Sequence, residues 1–400
     1  MSVEIQISDL NTMVRIGFTI SKNHQGKTLS QAIELYIKSG MTAFQICMTP
    51  SHNGYEGKKL DISENQKIRK LCKENNIYSV VHGKYIYNFC RQDNHYQIDL
   101  LVHELELANE IGCDVILHQG KNVAEEKLTR LQALDNYVKH ITEALEKTFD
   151  LNNGILLENS SKQGSELGYS LDELAYIYNH FNDSVRHRIG FCLDLCHIFV
   201  AGELDLRKAE DVELFFCQFE SLIGLDKLKC IHFNDSSIPF NGCNDHHGDI
   251  NCGYISNPLL GGSIEGFKIV AKIAKMNGAA IIFETPCKFN HLHQIYSQGT
   301  WQRKIVTGWA EENDAPYLKY LKTNPHINIL AHKYYTENKK KNKKNKKNKN
   351  LETSTTNVLI VPIKINECNC HSHEEKIPLQ LKSQPKLKLK LKSEIINATQ

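Results

Sequence analysis

Over its first 290 residues the chain repeats one unit, a short apolar run rich in β-branched residues followed by a longer stretch with helical spacing. Strands are predicted over Arg15–Ile20, Thr42–Cys47, Tyr78–His82, Asp114–His118, Gly154–Glu158, Ile189–Asp194, Lys229–Asn234 and Ala279–Glu284. Helical stretches between them include Leu29–Ser39, Glu64–Asn75, Ile98–Ile111, Ala124–Phe149, Leu171–Phe181 and Ile264–Met276. Runs such as VILH, ILLE and IIFE are apolar almost throughout, as in strands buried on both faces of a parallel sheet. Eight strands alternating with helices over roughly 250 residues favour an α/β fold closed as a (β/α)8 TIM barrel over an open doubly wound sheet. No GxGxxG turn follows the first strand, which counts against a dinucleotide fold.

The ends of those strands carry the chemistry. The third ends at His82, the fourth at His118, the fifth at Glu158 and the sixth at Asp194; the seventh carries His232 and the eighth ends at Glu284. In a barrel all these ends converge on one rim, where active sites of this fold sit. Any one of them alone would be an ordinary satisfied polar residue, but six consecutive strands aiming imidazole or carboxylate at one place require another account. That ligand mixture suits zinc and similar divalent ions, whereas an all-oxygen set would suit magnesium or calcium. In CLDLCHIFVAG, His197 lies three residues past Asp194. In NDHHGD, Asp245 and His247 are two apart, so an extended loop would turn both to one ion and His246 away. Nine ligands are too many for one tetrahedral ion and fit two or three metals sharing carboxylates. Three divalent ions against the carboxylates of Glu158, Asp194, Asp245 and Glu284 would leave a net positive site that attracts a phosphodiester. The thiols of Cys192 and Cys196 beside the motif are expected to be buried packing, with Cys196 able to tune the site from outside the ligand set.

Composition narrows the setting. Thirteen cysteines without a secretory leader suggest reduced thiols and an intracellular protein, cytoplasmic or nuclear. No apolar run approaches membrane-spanning length. The net charge of +2 hides a division, with −8 over residues 1–330 and +10 over 331–400. An acidic catalytic body is unusual for a DNA-binding protein unless bound cations offset it.

HGKYIYN, HQG, ENS, CLDLCH, HFND followed by NDHHGDI, and FETP together resemble the signature series of the endonuclease IV family of zinc-dependent apurinic/apyrimidinic endonucleases, in family order over most of residues 15–288. The resemblance implies a DNA-repair enzyme with three zinc ions, manganese being possible at some positions. One ion would take His82, His118 and Glu158; a second would share Glu158 and add Asp194, His232 and Glu284; a third would take His197, Asp245 and His247. A metal-activated hydroxide would attack the phosphorus 5′ to an abasic sugar in double-stranded DNA. The products would be a 3′-hydroxyl and a 5′-deoxyribose phosphate, with removal of 3′ blocking groups as a second activity. Glu158, bridging two ions, would position the hydroxide, and no nucleophilic side chain is needed. Tyr85 and Ile86 match the family's wedge into the gap left by the flipped nucleotide, and Lys84 is a candidate phosphate contact. The chain departs from the family in GFTIS, where Thr19 stands in place of a histidine, in TPSHN, where His52 stands in for an arginine, and in HGKY, which stands where the family often has a small residue and proline. A sugar isomerase or epimerase of the same fold is the alternative enzyme, and a non-catalytic DNA-binding protein the alternative of another class. The former needs one or two ions and leaves the third ligand set unexplained; the latter explains none of the rim ligands.

Residues 1–330 are thus expected to form the barrel and 331–400 a disordered basic tail. KKKNKKNKKNKN at 339–350 is low-complexity, and KLKLKLK follows Pro385. The tail would draw DNA phosphates without sequence preference or serve nuclear import, or is a drifted Lys/Asn-biased extension. CNCHSH, Cys368 to His373, has zinc-compatible ligands at a spacing that matches no finger. Nothing in the chain calls for an obligate protein partner, and a monomer is expected.

Overall fold

A computed structural model describes residues 13–20, 28–47, 62–285 and 295–333. The elements run β1 (Ile16–Ile20), α1 (Leu29–Lys38), β2 (Ala43–Ile46), α2 (Ile62–Glu74), β3 (Tyr78–His82), α3 (His95–Ile111), β4 (Asp114–Leu117), α4 (Arg130–Lys147), β5 (Ile155–Glu158), α5 (Leu171–His180), α6 (Asp183–Arg186), β6 (Ile189–Asp194), α7 (Leu195–Val200), α8 (Ala209–Leu222), β7 (Leu228–His232), β8 (Asp235–Ser236), β9 (His247–Gly248), α9 (Glu265–Asn277), β10 (Ala280–Phe283), α10 (Ile295–Ala310) and α11 (Ala315–Thr323). Eight parallel strands close into a barrel in the order β1-β10-β7-β6-β5-β4-β3-β2, and β8 and β9 form a separate antiparallel pair. This is the expected (β/α)8 fold. The strands are buried on both faces because helices cover the outside while Ala43, Val80, Ile116, Leu156, Cys192, Cys230, Ala280 and Ile282 cluster together. Small residues are required where strands crowd: a Cβ on Gly17 would lie 1.6 Å from the carbonyl oxygen of Ala43 on β2.

Local chemistry sets the helix ends. Thr28 and Gln31 form a capping box at α1, and Thr129 and Gln132 another at α4. The second explains why Ala124–Phe149 is not one helix. Ala124–Glu126 is a short 3-10 turn, Lys127 turns left-handed at φ 54°, and the α-helix begins only after Thr129. Gly112, at φ 89°, ends α3 by the same left-handed geometry, which glycine adopts without steric cost.

One register feature bears directly on the rim. Between β6 and β7 the pairing shifts by a residue, from Phe191↔Leu228 to Cys192↔Cys230, so that the solvent-exposed Lys229 is passed over. The shift sets Asp194 opposite His232.

The compact body includes Ala331, which is fully buried. The ten described cysteines are all free. Among the described residues no helix is long and apolar enough to cross a membrane. His52 and the Cys368–His373 cluster lie outside the described residues, as does the basic tail beyond Lys333.

Candidate metal centre

The barrel delivers its polar residues to one end. His82, Glu158, Asp194 and His232 are the last residues of β3, β5, β6 and β7, while His118 and Glu284 lie one residue beyond β4 and β10. His197 sits in the first turn of α7, which Asp194 caps by accepting the His197 amide at 2.9 Å through Oδ1. Asp245 and His247 come from the loop that pairs β8 with β9.

These nine residues meet in three sets: His82, His118 and Glu158; Glu158, Asp194, His232 and Glu284; and His197, Asp245 and His247. Within each set the candidate ligand atoms all lie within 4.8 Å of one another. Glu158 belongs to two sets: its Oε2 is 3.4 Å from His82 Nε2 and 3.2 Å from His118 Nε2, and its Oε1 is 2.8 Å from His232 Nδ1. In the third set Asp245 stands 3.2 Å from His197 Nε2 and 3.0 Å from His247 Nε2. His246 is exposed, and its carbonyl accepts from the Ser237 amide.

Partners on the outer side of the rings fix which nitrogen faces inward. His82 Nδ1 donates to the Gly83 carbonyl at 2.8 Å and His197 Nδ1 to the Asn159 carbonyl at 2.9 Å. A carbonyl only accepts, so each ring carries its proton there and turns an Nε2 lone pair to the cluster. This outward anchoring is the pattern of metal-ligating histidines.

Electrostatics point the same way. Glu158 and Asp194 are almost wholly buried, and every ion-pair partner of the four carboxylates among the described residues is an imidazole. Burial alone would raise the Glu158 pKa, but His118 and His232 hold it well below the usual carboxylate range. Burial alone would lower His232 and His197, yet Glu284 and Glu158 raise the first, and Asp194 and Asp245 the second. His118 is lowered, burial outweighing Glu158. A field this negative, with Glu158 and Asp194 out of water, calls for cations.

A direct test of fit comes from atoms left over. Glu158 Oε2, His197 Nε2 and His247 Nε2 are buried without a hydrogen-bond partner among the described residues. Orphaned acceptors are costly in an interior, and these three touch every set, Glu158 belonging to the first two and the histidines to the third. Imidazole and carboxylate lone pairs converging at this spacing suit zinc or a similar ion.

The expected DNA contacts separate. Tyr85 is 51 % exposed at the mouth of the cluster, its ring centroid 4.8 Å from that of His82 and 6.4 Å from that of His118. Ile86 beside it is half-buried. Lys84 is a correction: it is only 4 % exposed, so it does not present itself to a phosphate. Burial lowers its ammonium pKa, and the buried carboxylate of Glu104 acts against that. Cys192 is buried packing as expected, and Cys196 Sγ lies 3.9 Å from Asp245 Oδ1, against the third set.

Four residues not singled out from sequence support the site. Asn234 donates to Asp194 Oδ2 at 2.8 Å and accepts the Glu284 amide at 2.9 Å. Asn159 and Asp235 hold the backbone, and Gln45 reaches the ligands from β2. Asn159, Asn234 and Asp235 adjoin ligands inside the ENS and HFND motifs, which was the available signal; Gln45 had none.

The sequence matches the family described as Xylose isomerase-like TIM barrel over residues 33–303. It is 40 % identical over 220 residues to the putative endonuclease 4 of Acanthamoeba polyphaga mimivirus, covering 53 % of this chain and 68 % of that protein. The crystal structure of endonuclease IV from Thermus thermophilus superposes with a TM-score of 0.60 at 24 % identity, over 74 % of this chain and 99 % of that one. A D-tagatose 3-epimerase-like protein shares the fold at a TM-score of 0.55 and 18 % identity, over 75 % of this chain and 98 % of that one. With its motifs in order and its ligand sets assembled at the barrel rim, the chain belongs to the endonuclease IV family within the Xylose isomerase-like TIM barrels.

Proposed function

We propose that this protein hydrolyses the phosphodiester on the 5′ side of abasic sites in double-stranded DNA, leaving a 3′-hydroxyl and a 5′-deoxyribose phosphate, at a centre of three zinc ions. Membership of the endonuclease IV family makes it a hydrolytic endonuclease of DNA repair. The observation that carries the finer reading is the triple ligand set joined through Glu158. When bound, zinc would supply positive charge for the phosphodiester and the departing oxygen and would bring the pKa of an attacking water to about 7.

The chain's own residues do the rest. Glu158 joins the first two sets and fixes the separation of whatever they hold. Asn234 keeps Asp194 and Glu284 in register with each other. Tyr85 would fill the space left by an extruded nucleotide; its exposure beside His82 supports that reading. No side-chain nucleophile is required, and the thiol beside the third set, Cys196, has its pKa pushed well up by burial and by Asp194 and Asp245, which leaves it protonated and inert. Clearing blocked 3′ ends would use the same centre.

An epimerase reading has the shared fold in its favour. Against it stands the set His197, Asp245 and His247, a third group that a one- or two-ion isomerase does not use. The deciding experiment is cleavage of an end-labelled duplex carrying one tetrahydrofuran abasic analogue, with and without chelator. The analogue cannot undergo β-elimination, so a chelator-sensitive cut with an extendable 3′-hydroxyl is the expected result. No cut by protein with its full zinc content would overturn the proposal in favour of the epimerase.

A further inference from the structure

Glu284 imposes a direction on the side chain of Gln45, and Gln45 imposes one on His232. Gln45 lies within β2 and is 1 % exposed, paired in register with Thr19 of β1. Its amide nitrogen is 2.6 Å from Glu284 Oε1 and 3.1 Å from Thr19 Oγ1, and its amide oxygen is 2.7 Å from His232 Nε2. An ionised carboxylate can only accept, so the amide nitrogen must face Glu284 and the oxygen must face His232. The amide oxygen can only accept as well, so His232 Nε2 carries the proton. Nδ1 is then the nitrogen offered to a cation among the carboxylates, 2.8 Å from Glu158 Oε1 and 3.2 Å from Glu284 Oε2.

We propose that Gln45, braced by Thr19, is a positioning residue for a cation held by Glu158, Asp194, His232 and Glu284, fixing the tautomer of His232 and the carboxylate orientation of Glu284 together. The inference rests on the multi-cation reading above and deepens it. Thr19 supplies the hydroxyl against which the amide of Gln45 is held. Anchoring groups of this kind raise ligand basicity and pre-set ring orientation, and their loss costs about 10–100-fold in metal affinity. One amide acting on two ligands from opposite sides of the set is a compact way to do it. In the closed barrel only β1 and β10 stand between β2 and β7, β1 carrying Thr19 and β10 leading into Glu284.

The test uses full-length protein loaded with zinc and compares wild type with Gln45→Leu and Thr19→Val. Zinc affinity is read by competition with a chelator of known strength, histidine tautomers by two-bond proton–nitrogen correlation spectra, and integrity by thermal melting. Wild type should show a zinc-ligated imidazole bound through Nδ1 and protonated at Nε2. Gln45→Leu should weaken one class of zinc by about 10–100-fold and blur that signature. Thr19→Val should shift the same zinc class in the same direction by less, with a near wild-type melt, and it decides the matter if the leucine variant does not fold. Unchanged zinc affinity and an unchanged imidazole signature in the variants would overturn the role of Gln45 while leaving the zinc centre standing. Failure of wild type to bind zinc would overturn both.

Discussion

Asn159 clasps Asp194 by the main chain: the Asp194 amide donates to Asn159 Oδ1 at 2.8 Å, and Asn159 Nδ2 donates to the Asp194 carbonyl at 3.0 Å. The asparagine therefore stands in for a neighbouring strand just where β5 has ended and β6 continues. Both residues are fully buried, so Asn159→Ala would leave two backbone groups without partners, at about 1–3 kcal/mol each. A loss of about 2–4 kcal/mol in urea denaturation is expected, accompanied by weaker zinc retention because Asp194 is a candidate ligand. A change below about 0.5 kcal/mol, the level of an ordinary surface substitution, would show that the clasp is dispensable.

Glu158→Gln keeps shape and removes charge from the residue shared by two ligand sets. Cleavage of abasic-site DNA should fall by more than ~100-fold, beyond the loss typical of a residue that merely supports a ligand. Far-ultraviolet circular dichroism should not change. Near-normal cleavage would show that the ligand map is wrong.

His247 links zinc loading to pH. Burial pushes this imidazole down, but Asp194 and Asp245 outweigh it and set the pKa at about 9 in zinc-free protein. Because this exceeds an unfolded value of about 6.5, the stabilisation is complete below pH 6.5 and is lost as pH rises through 9. It is on the order of 3 kcal/mol at most. Zinc that takes the same lone pair displaces the proton, so loading near neutrality should release protons and affinity should fall on acidification. Isothermal titration in two buffers of different protonation enthalpy counts them. Identical heats in both would mean that His247 is already neutral before zinc arrives.

Asp235 organises the arm that carries the third ligand set. Oδ1 accepts the amides of Ser236 at 2.7 Å and Ile255 at 2.9 Å, and Oδ2 accepts those of Gly253 at 3.0 Å and Ser256 at 3.3 Å together with the Ser256 hydroxyl. Asp235→Asn turns one oxygen into a donor facing donors, for an expected destabilisation of about 2–4 kcal/mol. Zinc content after dialysis should fall from three equivalents towards two, the loss falling on His197, Asp245 and His247. Full retention of three would disconnect Asp235 from the site.

Deleting residues 336–400 removes a segment of net charge +9 and leaves the remainder net negative. Cleavage at saturating DNA should persist, while DNA affinity and its dependence on salt should both decrease, by about 0.9 in log–log slope for each phosphate that the shortened chain no longer neutralises. Equal binding across a salt series would show that the tail takes no part.

Much of this was legible in the chain because buried parallel strands are nearly continuous apolar runs, and a His or carboxylate at the end of each stands out against them. His82, Glu158 and Asp194 could be placed from such runs alone. The spacing of Asp245 and His247 gave their common direction, and the exposed His246 between them follows from the same alternation. Gln45 was not legible, because its role depends on Glu284 and His232, which only barrel closure brings near. The pairing of Asp194 with His232 was equally hidden, since it needs the register shift at Lys229. Lys84 misled because its neighbour Tyr85 is exposed, and local sequence does not say which of two adjacent side chains turns inward.

The third ligand set differs from the other two in where it is mounted. Six candidate ligands sit at or just beyond the ends of barrel strands, but Asp245 and His247 hang from the β8–β9 arm outside the barrel, with only His197 tied to the wall through Asp194. An arm can be lengthened, shortened or replaced without disturbing the strands beneath it. Barrels with the same rim could therefore differ in chemistry by exchanging this one appendage.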